Sequence, residues 1–427
     1  MTEEQRAEDQ GKAGSVLVVG GGISGLTATL ETAEVGYEVY LVEQNPYLGG
    51  RVAQLKHYFP KLCPPTCGLE INFKRIKDNP KIKYFTLAEV ESISGGPGNY
   101  DVAVKLMPRY VNEKCTCCGE CEKACNTEIP NDFNFQMDTV KGAYLPHQMS
   151  FPMRYVLSPK IIGTDDAKRC QAACKYDAID LDMQPKTINL KVGAIIWATG
   201  WKPYDASKMD RLGFQYDNVV TNMMLERLAA INGPTGGKIL RPSDNKEVTS
   251  VAFVQCAGSR DENHLPYCSY ICCMASLKHA TYIREQYPDA KVYIFYIDVR
   301  APGQRYEKFY RNIKADENVY LIKGKVAEVN ENPDTKNVTV IAENAVTGEK
   351  IEQTVDMAVL ATGMMPNTAE VKLPGGVKCD PDGFILSDLS QGGMFATGCA
   401  AKPLDVISSN QHATGAALKA IQTLVSS

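Results

Sequence analysis

The sequence predicts an α/β chain of two dinucleotide-binding folds, the first interrupted by a cysteine-rich insertion. Three observations carry this. A glycine-rich turn follows a short apolar strand near the N-terminus. A second strand–helix–strand stretch after residue 250 lacks such a turn. The cysteines, fifteen in all, crowd into a few short segments. At 427 residues there is room for two or three domains with cores of their own.

Composition excludes several classes. Apolar residues make up 44% and charged residues 22%, as in soluble globular proteins. The formal charge of −4 gives no electrostatic case for binding nucleic acid or a membrane surface. No run of about 18 apolar residues is present, so no membrane span is expected. Residues 1–12 read as a loose polar tail without the apolar core of a secretory signal. A cytoplasmic chain with reduced thiols is therefore expected, and clustered cysteines there favour metal ligation over disulfides.

The first fold opens with Ser15–Val19, an apolar run suited to a buried parallel strand. Gly20, Gly22 and Gly25 follow in G-x-G-x-x-G spacing, with Ile23 and Ser24 inside the motif. Leu26 to Val35 reads as a helix and Val39–Val42 as the next strand, with Glu43 and Gln44 at its end. Glycines at this spacing let backbone N–H groups approach a pyrophosphate, and the helix N-terminus stabilises its charge. Glu43 stands where an acid accepts hydrogen bonds from ribose hydroxyls. The alternative, a glycine-rich loop that only turns the chain, does not account for the strand, helix and acid in their places.

Later segments point to FAD rather than NAD. Gly49-Gly50-Arg51 comes soon after Glu43, and Ala-Thr-Gly turns follow strands at Ala198-Thr199-Gly200 and Ala361-Thr362-Gly363. A third such segment, Phe395 to Gly398, precedes the C-terminal helix. Together they resemble thioredoxin-reductase-like flavoproteins. That resemblance implies that Gly50, Arg51, Ala198, Thr199, Gly200, Thr362, Gly363 and Gly398 belong to the FAD site. It also brings the residue after Gly398 to the flavin, where an acid is usual and this chain has Cys399.

The insertion contains Cys115, Cys118, Cys121 and Cys125 in C-x2-C-x2-C-x3-C spacing, which resembles a bacterial ferredoxin. Cys170 and Cys174 look like the tail of a second such motif, whose first two ligand positions hold Thr164 and Ala167. In two-cluster ferredoxins the fourth cysteine of each motif ligates the other cluster. Cys115, Cys118, Cys121 and Cys174 are then expected to hold one [4Fe–4S] cluster, with the other site empty. Zinc and a metal-free relic are the alternatives, and Cys117 is a possible substitute ligand at the wrong spacing.

The second nucleotide fold has its strand at Val251–Gln255, a helix containing Met274–Ala280 and a next strand at Lys291–Tyr296. No glycine pattern remains between strand and helix to hold a pyrophosphate, so direct use of NAD(P)H is not expected. Cys256, Cys268, Cys272 and Cys273 stand there instead. Thiolates near a helix N-terminus are stabilised, which suits a second cluster. Reactive or merely buried cysteines are the other options.

Gln255–Asp261 with Tyr267–Met274 resembles the A subunit of heterodisulfide reductase, and the shared architecture covers nearly the whole chain. The resemblance implies that Cys256, Cys268, Cys272 and Cys273 ligate a [4Fe–4S] cluster. An end at Ser427 without a C-terminal ferredoxin domain, and a half-inactivated insertion, are similar to the family's short branch. That branch comprises the A subunits of quinone-interacting membrane-bound oxidoreductase complexes. It implies an oxidoreductase subunit linking the menaquinone pool to adenylylsulfate reductase in sulfate reduction. Its partners would be an iron–sulfur flavoprotein and a membrane quinone-binding subunit, through which the chain would sit at the membrane. The alternatives are a scaffold with a structural flavin and a flavin-bifurcating subunit of heterodisulfide reductase.

The expected FAD unit covers 13–108, 187–245 and 346–427, the ferredoxin-like insertion 109–186, and the degenerate nucleotide fold 246–345. Cys63 and Cys67 could be a dithiol, a cluster contact or two structural thiols. Cys379 reads as incidental, and His412 as either near the flavin or a packing residue. No acid–base pair is assigned to catalysis.

Overall fold

The computed structural model describes residues 14–387 and 392–426, and the expected tail at 1–12 lies outside them. The first unit is a five-stranded parallel sheet. Its spatial order is Met394–Ala396, Ala194–Trp197, Ser15–Val19, Glu38–Glu43 and Ile82–Thr86. Helices Ile23–Glu34, Pro65–Asp78 and Val406–Ser426 accompany it, and residues of all three join one core with Val16, Val18, Val39 and Ile196. The other face, through Leu17, Tyr40 and Ile195, packs on an antiparallel sheet of Ala88–Gly96, Asn99–Leu106 and Lys186–Val192. Burial on both faces explains why these parallel strands read as unbroken apolar runs.

The insertion leaves this antiparallel sheet and returns to it. Leu106 and Lys186 are register partners, so the two ends of the inserted segment stand side by side. Inside it, helices Glu120–Ala124 and Asp165–Ala173 share a small core with Ile161, Ala143 and Tyr155.

The second unit is again a five-stranded parallel sheet, in the order Val219–Thr221, Met357–Thr362, Ser250–Ala257, Lys291–Tyr296 and Val319–Lys323. This corrects the expected boundaries. Strands 219–221 and 357–362 belong to the second sheet, although the sequence placed both in the FAD unit. Met357–Thr362 is buried throughout and pairs with both 219–221 and 250–257. An apolar strand of this kind suits the centre of either sheet, and only its register decides which one. The two crossings between the units run as an antiparallel pair, Trp201–Pro203 against Met364–Pro366.

A buried polar network joins the units. The Glu226 carboxylate pairs with the Lys278 ammonium and lies 2.5 Å from His279 Nε2, all three being nearly inaccessible to solvent. The backbone N–H of Lys56 donates to the same carboxylate at 2.9 Å, and Lys278 Nζ donates to the carbonyl of His57. Next to it, Arg227 donates to the Gln54 carbonyl at 3.0 Å and to Asn134 of the insertion at 2.8 Å. Burial alone would raise the Glu226 pKa, but Lys278 and His279 outweigh it and hold the carboxyl below its usual range.

Removing one partner of a buried pair strands the other charge. Glu226→Ala is therefore expected to cost ~3–5 kcal/mol of stability, seen as a lower midpoint in denaturant unfolding of the full chain. An unchanged midpoint would show that the network does not clamp the units.

Candidate functional site

A cavity of about 1060 Å³ runs along the C-terminal ends of the first sheet. This is above the ~300–1,000 Å³ usual for small-molecule pockets. Gly20, Gly22, Ile23, Ser24, Glu43 and Gln44 line one end of it. Gly50, Arg51, Ala198, Thr199, Gly200 and Cys399 line it further on. They come from strand ends, from the turns that follow and from the first helical residues beyond, where open α/β sheets hold nucleotides.

The glycines are fixed by close approach. A Cβ on Gly20 would lie 2.3 Å from the Ala198 carbonyl oxygen, and one on Gly25 1.8 Å from that of Gly20. Gly25 thus serves helix-to-strand packing rather than the cavity wall. Helix Ile23–Glu34 has no side-chain cap and no acid in its first turn, so its N–H groups stay available to an anion. Glu43 is buried, which raises its pKa. Its oxygens accept from the Gly21 N–H at 2.6 Å and the Asn45 N–H at 2.7 Å. Arg51 donates to the Trp201 carbonyl at 3.2 Å and to Gln54 at 3.1 Å, under the ring of Phe135. Thr199 and Thr397, both cavity-lining, carry buried hydroxyls with no partner among the described residues. Orphan hydroxyls, a glycine cradle and an open helix end fit a dinucleotide such as FAD.

Besides Gly25, three expected contacts are placed elsewhere. Thr362 and Gly363 end a strand of the second sheet, where the Thr362 hydroxyl donates to Asn222 at 3.1 Å. A Cβ on Gly363 would press on Ser259 and Ser269. Both residues face the cysteine-rich loop, because the second Ala-Thr-Gly turn belongs to the second fold. Gly398 lies against Ser24, and its N–H donates to His412 Nδ1 at 3.1 Å, which gives His412 a packing role. Cys399 does reach the cavity wall, and burial pushes its thiol up to about 11.

The sequence also missed part of the wall. Ile129, Asn131, Phe133, Phe135 and Tyr144 of the insertion line the cavity. Phe133 stacks on His147 at 4.7 Å, and the Arg227 guanidinium lies over its ring at 4.6 Å from the centroid. An aromatic stretch in a loop carries no spacing signal, so nothing in the sequence singled it out.

The cysteines gather into two sets. In the insertion, burial raises the Cys121 thiol to about 12, and Cys115, Cys174 and Cys118 are the neighbouring thiols that raise it further. Cys125 is instead the neighbouring thiol of Cys170, both buried in the insertion's core, where Cys125 donates to the Thr127 carbonyl at 3.6 Å and Cys170 to that of Cys121 at 3.3 Å. In the second unit, burial raises Cys272 well above the usual thiol range, with Cys273, Cys256 and Cys268 as its thiol neighbours. Cys256, Arg260 and Tyr270 hold left-handed backbone at φ +57°, +56° and +67°. That conformation costs roughly 1–2 kcal/mol per non-glycine residue. It recurs here in the loop that replaces a glycine turn. Cys63 and Cys67 are exposed at the start of helix Pro65–Asp78, and Cys379 is exposed. Among the described residues, no three or more His, Cys, Asp or Glu side chains are set to hold a single metal ion.

Comparison with known proteins decides the kinship. A family model described as FAD dependent oxidoreductase matches residues 15–59. The iron–sulfur A subunit numbered 2 of CoB–CoM heterodisulfide reductase from Methanopyrus kandleri is 38% identical over 96% of this chain. The corresponding iron–sulfur A subunit from Methanocaldococcus jannaschii is 39% identical over 94%. Over nearly its whole length the chain is similar to the heterodisulfide reductase A subunits. It spans 64% and 63% of the length of these two relatives. Among solved structures, thioredoxin reductase from Lactococcus lactis matches with a TM-score of 0.53 over 97% of this chain and 99% of its own, at 14% identity. That from T. acidophilum gives 0.52 over 97% and 98%, at 15% identity. Those likenesses show the fold alone. No helix among the described residues is long and apolar enough to cross a membrane.

Gly20→Ala is expected to abolish tight FAD retention, because backbone rather than a movable side chain meets the added Cβ. Flavin absorbance per chain after gel filtration checks this, and full flavin content in the variant would contradict it.

Proposed function

We propose that this chain is an electron-transfer subunit that holds one FAD between two four-cysteine iron–sulfur sites and serves larger partner complexes. The observation that carries this is the second nucleotide fold, whose phosphate-binding end has four neighbouring thiols in place of its glycines. Bound FAD exchanges electrons in pairs or singly, whereas [4Fe–4S] clusters exchange them singly. The chain's own residues set position and environment. Glu43 orients the nucleotide-binding turn, Arg51 and the insertion's aromatic residues wall the cavity, and the Glu226 network fixes one thiol-bearing helix against the FAD unit.

Cys115, Cys118, Cys121 and Cys174 are the proposed ligands of the insertion's cluster. Cys256, Cys268, Cys272 and Cys273 are those of the second. The position of Cys125 beside Cys170, within a closed core, supports an empty second ferredoxin site.

Our reading of the larger role follows the short branch of the family. The chain would carry electrons between the menaquinone pool and adenylylsulfate reductase, at the cytoplasmic face of a membrane. It would do so through an iron–sulfur flavoprotein and a membrane quinone-binding subunit. Thr164 and Ala167 in place of two cluster ligands support this branch. The names of the relatives favour a second reading, a component of a heterodisulfide-reducing assembly. Proteins that co-purify with the chain from its native membrane fraction separate the two.

The ligand assignment has its own test. Cys174→Ala is expected to lose the insertion's cluster, whereas Cys125→Ala keeps it. Iron content and the electron paramagnetic resonance of each variant read this out. Equal loss in both variants, or loss with Cys125→Ala alone, would refute the crossed ligand set.

A further inference from the structure

Behind the second thiol set lie buried polar groups with nothing to bind. Gln255 precedes Cys256 on strand Ser250–Ala257 and is only 5% exposed. Neither its amide nitrogen nor its amide oxygen has a hydrogen-bond partner among the described residues. Val251 and Phe253 pack into the core shared with helix Cys272–Gln286, and Gln255 continues their parity at the start of the register irregularity between Val254 and Ala257. The Phe253 ring lies 6.2 Å from that of His279. The helix joins two parallel strands and so runs back against them. Two strand residues advance about as far as one helical turn, so Gln255 is expected near the preceding turn, at Ser276.

Ser276 belongs to the same stripe. Cys272, Ser276 and His279 follow the i, i+4, i+7 spacing of one helix face. Ser276 is fully buried, and neither its hydroxyl nor His279 Nδ1 has a partner among the described residues. Each buried polar group left unpaired costs about 1–3 kcal/mol. Several of them on one stripe that ends at a thiol cage point to something polar in that cage.

We infer that Gln255 donates a hydrogen bond to the iron–sulfur cluster carried by Cys256, Cys268, Cys272 and Cys273, with Ser276 as a second donor beneath it. This rests on the cluster-binding role proposed for those cysteines. An N–H or O–H directed at a cluster sulfur stabilises the more negative, reduced form, so it raises the reduction potential. Gln255 is thus a positioning and tuning residue, not a ligand.

The experiment uses the full chain, purified anaerobically with its FAD, as wild type, Gln255→Leu and Ser276→Ala. Iron and acid-labile sulfide are counted first, and cluster reduction is then followed by electron paramagnetic resonance at controlled potential. Gln255→Leu is expected to keep its iron and sulfide. Its reduced-to-oxidised ratio at a fixed potential should fall roughly tenfold for this cluster alone, a shift of about 59 mV for one electron. Ser276→Ala should shift the same way by less. Full iron with an unmoved potential in Gln255→Leu overturns the inference. A wild-type chain without this cluster overturns the ligand assignment, and the inference with it. Should Gln255→Leu lose the cluster, wild-type protein labelled with 15N in its glutamine side chains decides. A nitrogen coupling to the reduced cluster in pulsed resonance supports the inference, and its absence overturns it.

Discussion

Four thiols cannot become four thiolates in one poorly solvated pocket unless a positive centre compensates them. Burial disfavours each thiolate, and every neighbour of like charge disfavours it further. Burial and neighbouring thiols raise Cys121 in the insertion and Cys272 in the second unit. Iron ions meet the need, and an iron–sulfur cluster has room for four separate sulfurs. The surrounding architecture follows from that demand. From the end of strand Ser250–Ala257 onward the backbone is left-handed at Cys256, Arg260 and Tyr270 as well as at Gly258. The insertion returns to the register position it left, so it adds a thiol set without breaking the sheet that supports it.

The same demand gives the buried network a purpose. Helix Cys272–Gln286 starts with two of the cysteines and, less than two turns on, presents Lys278 and His279 to Glu226. Glu226 in turn holds the backbone of the segment that leaves Arg51 and Gln54, both in the cavity wall. Arg227 ties the insertion's Asn134 to that segment. One buried polar cluster therefore references three redox-related elements to each other. Such a fastening suits the relay proposed above, in which distances between cofactors stay fixed.

Local patterns were legible in the sequence and long-range pairings were not. Ser15–Val19, the glycine turn and Glu43 form a contiguous unit whose spacing encodes its geometry, and the structure places them around the cavity. Strand Lys291–Tyr296 was legible for the same reason. Strand Met357–Thr362 was recognisable as a strand, but its partners are more than 90 residues away and its apolar run fits two sheets equally well. Thr362 and Gly363 moved out of the FAD site with it. Phe133 and Phe135 were illegible because a loop has no period, and Glu226 because one acid on a helix most often faces solvent.

The most direct measurement is the iron, acid-labile sulfide and flavin content of the full chain purified without oxygen. Two four-iron clusters and one FAD predict about eight iron and eight sulfide per flavin. Zinc without sulfide, or a flavin-loaded chain with no iron, would contradict the account.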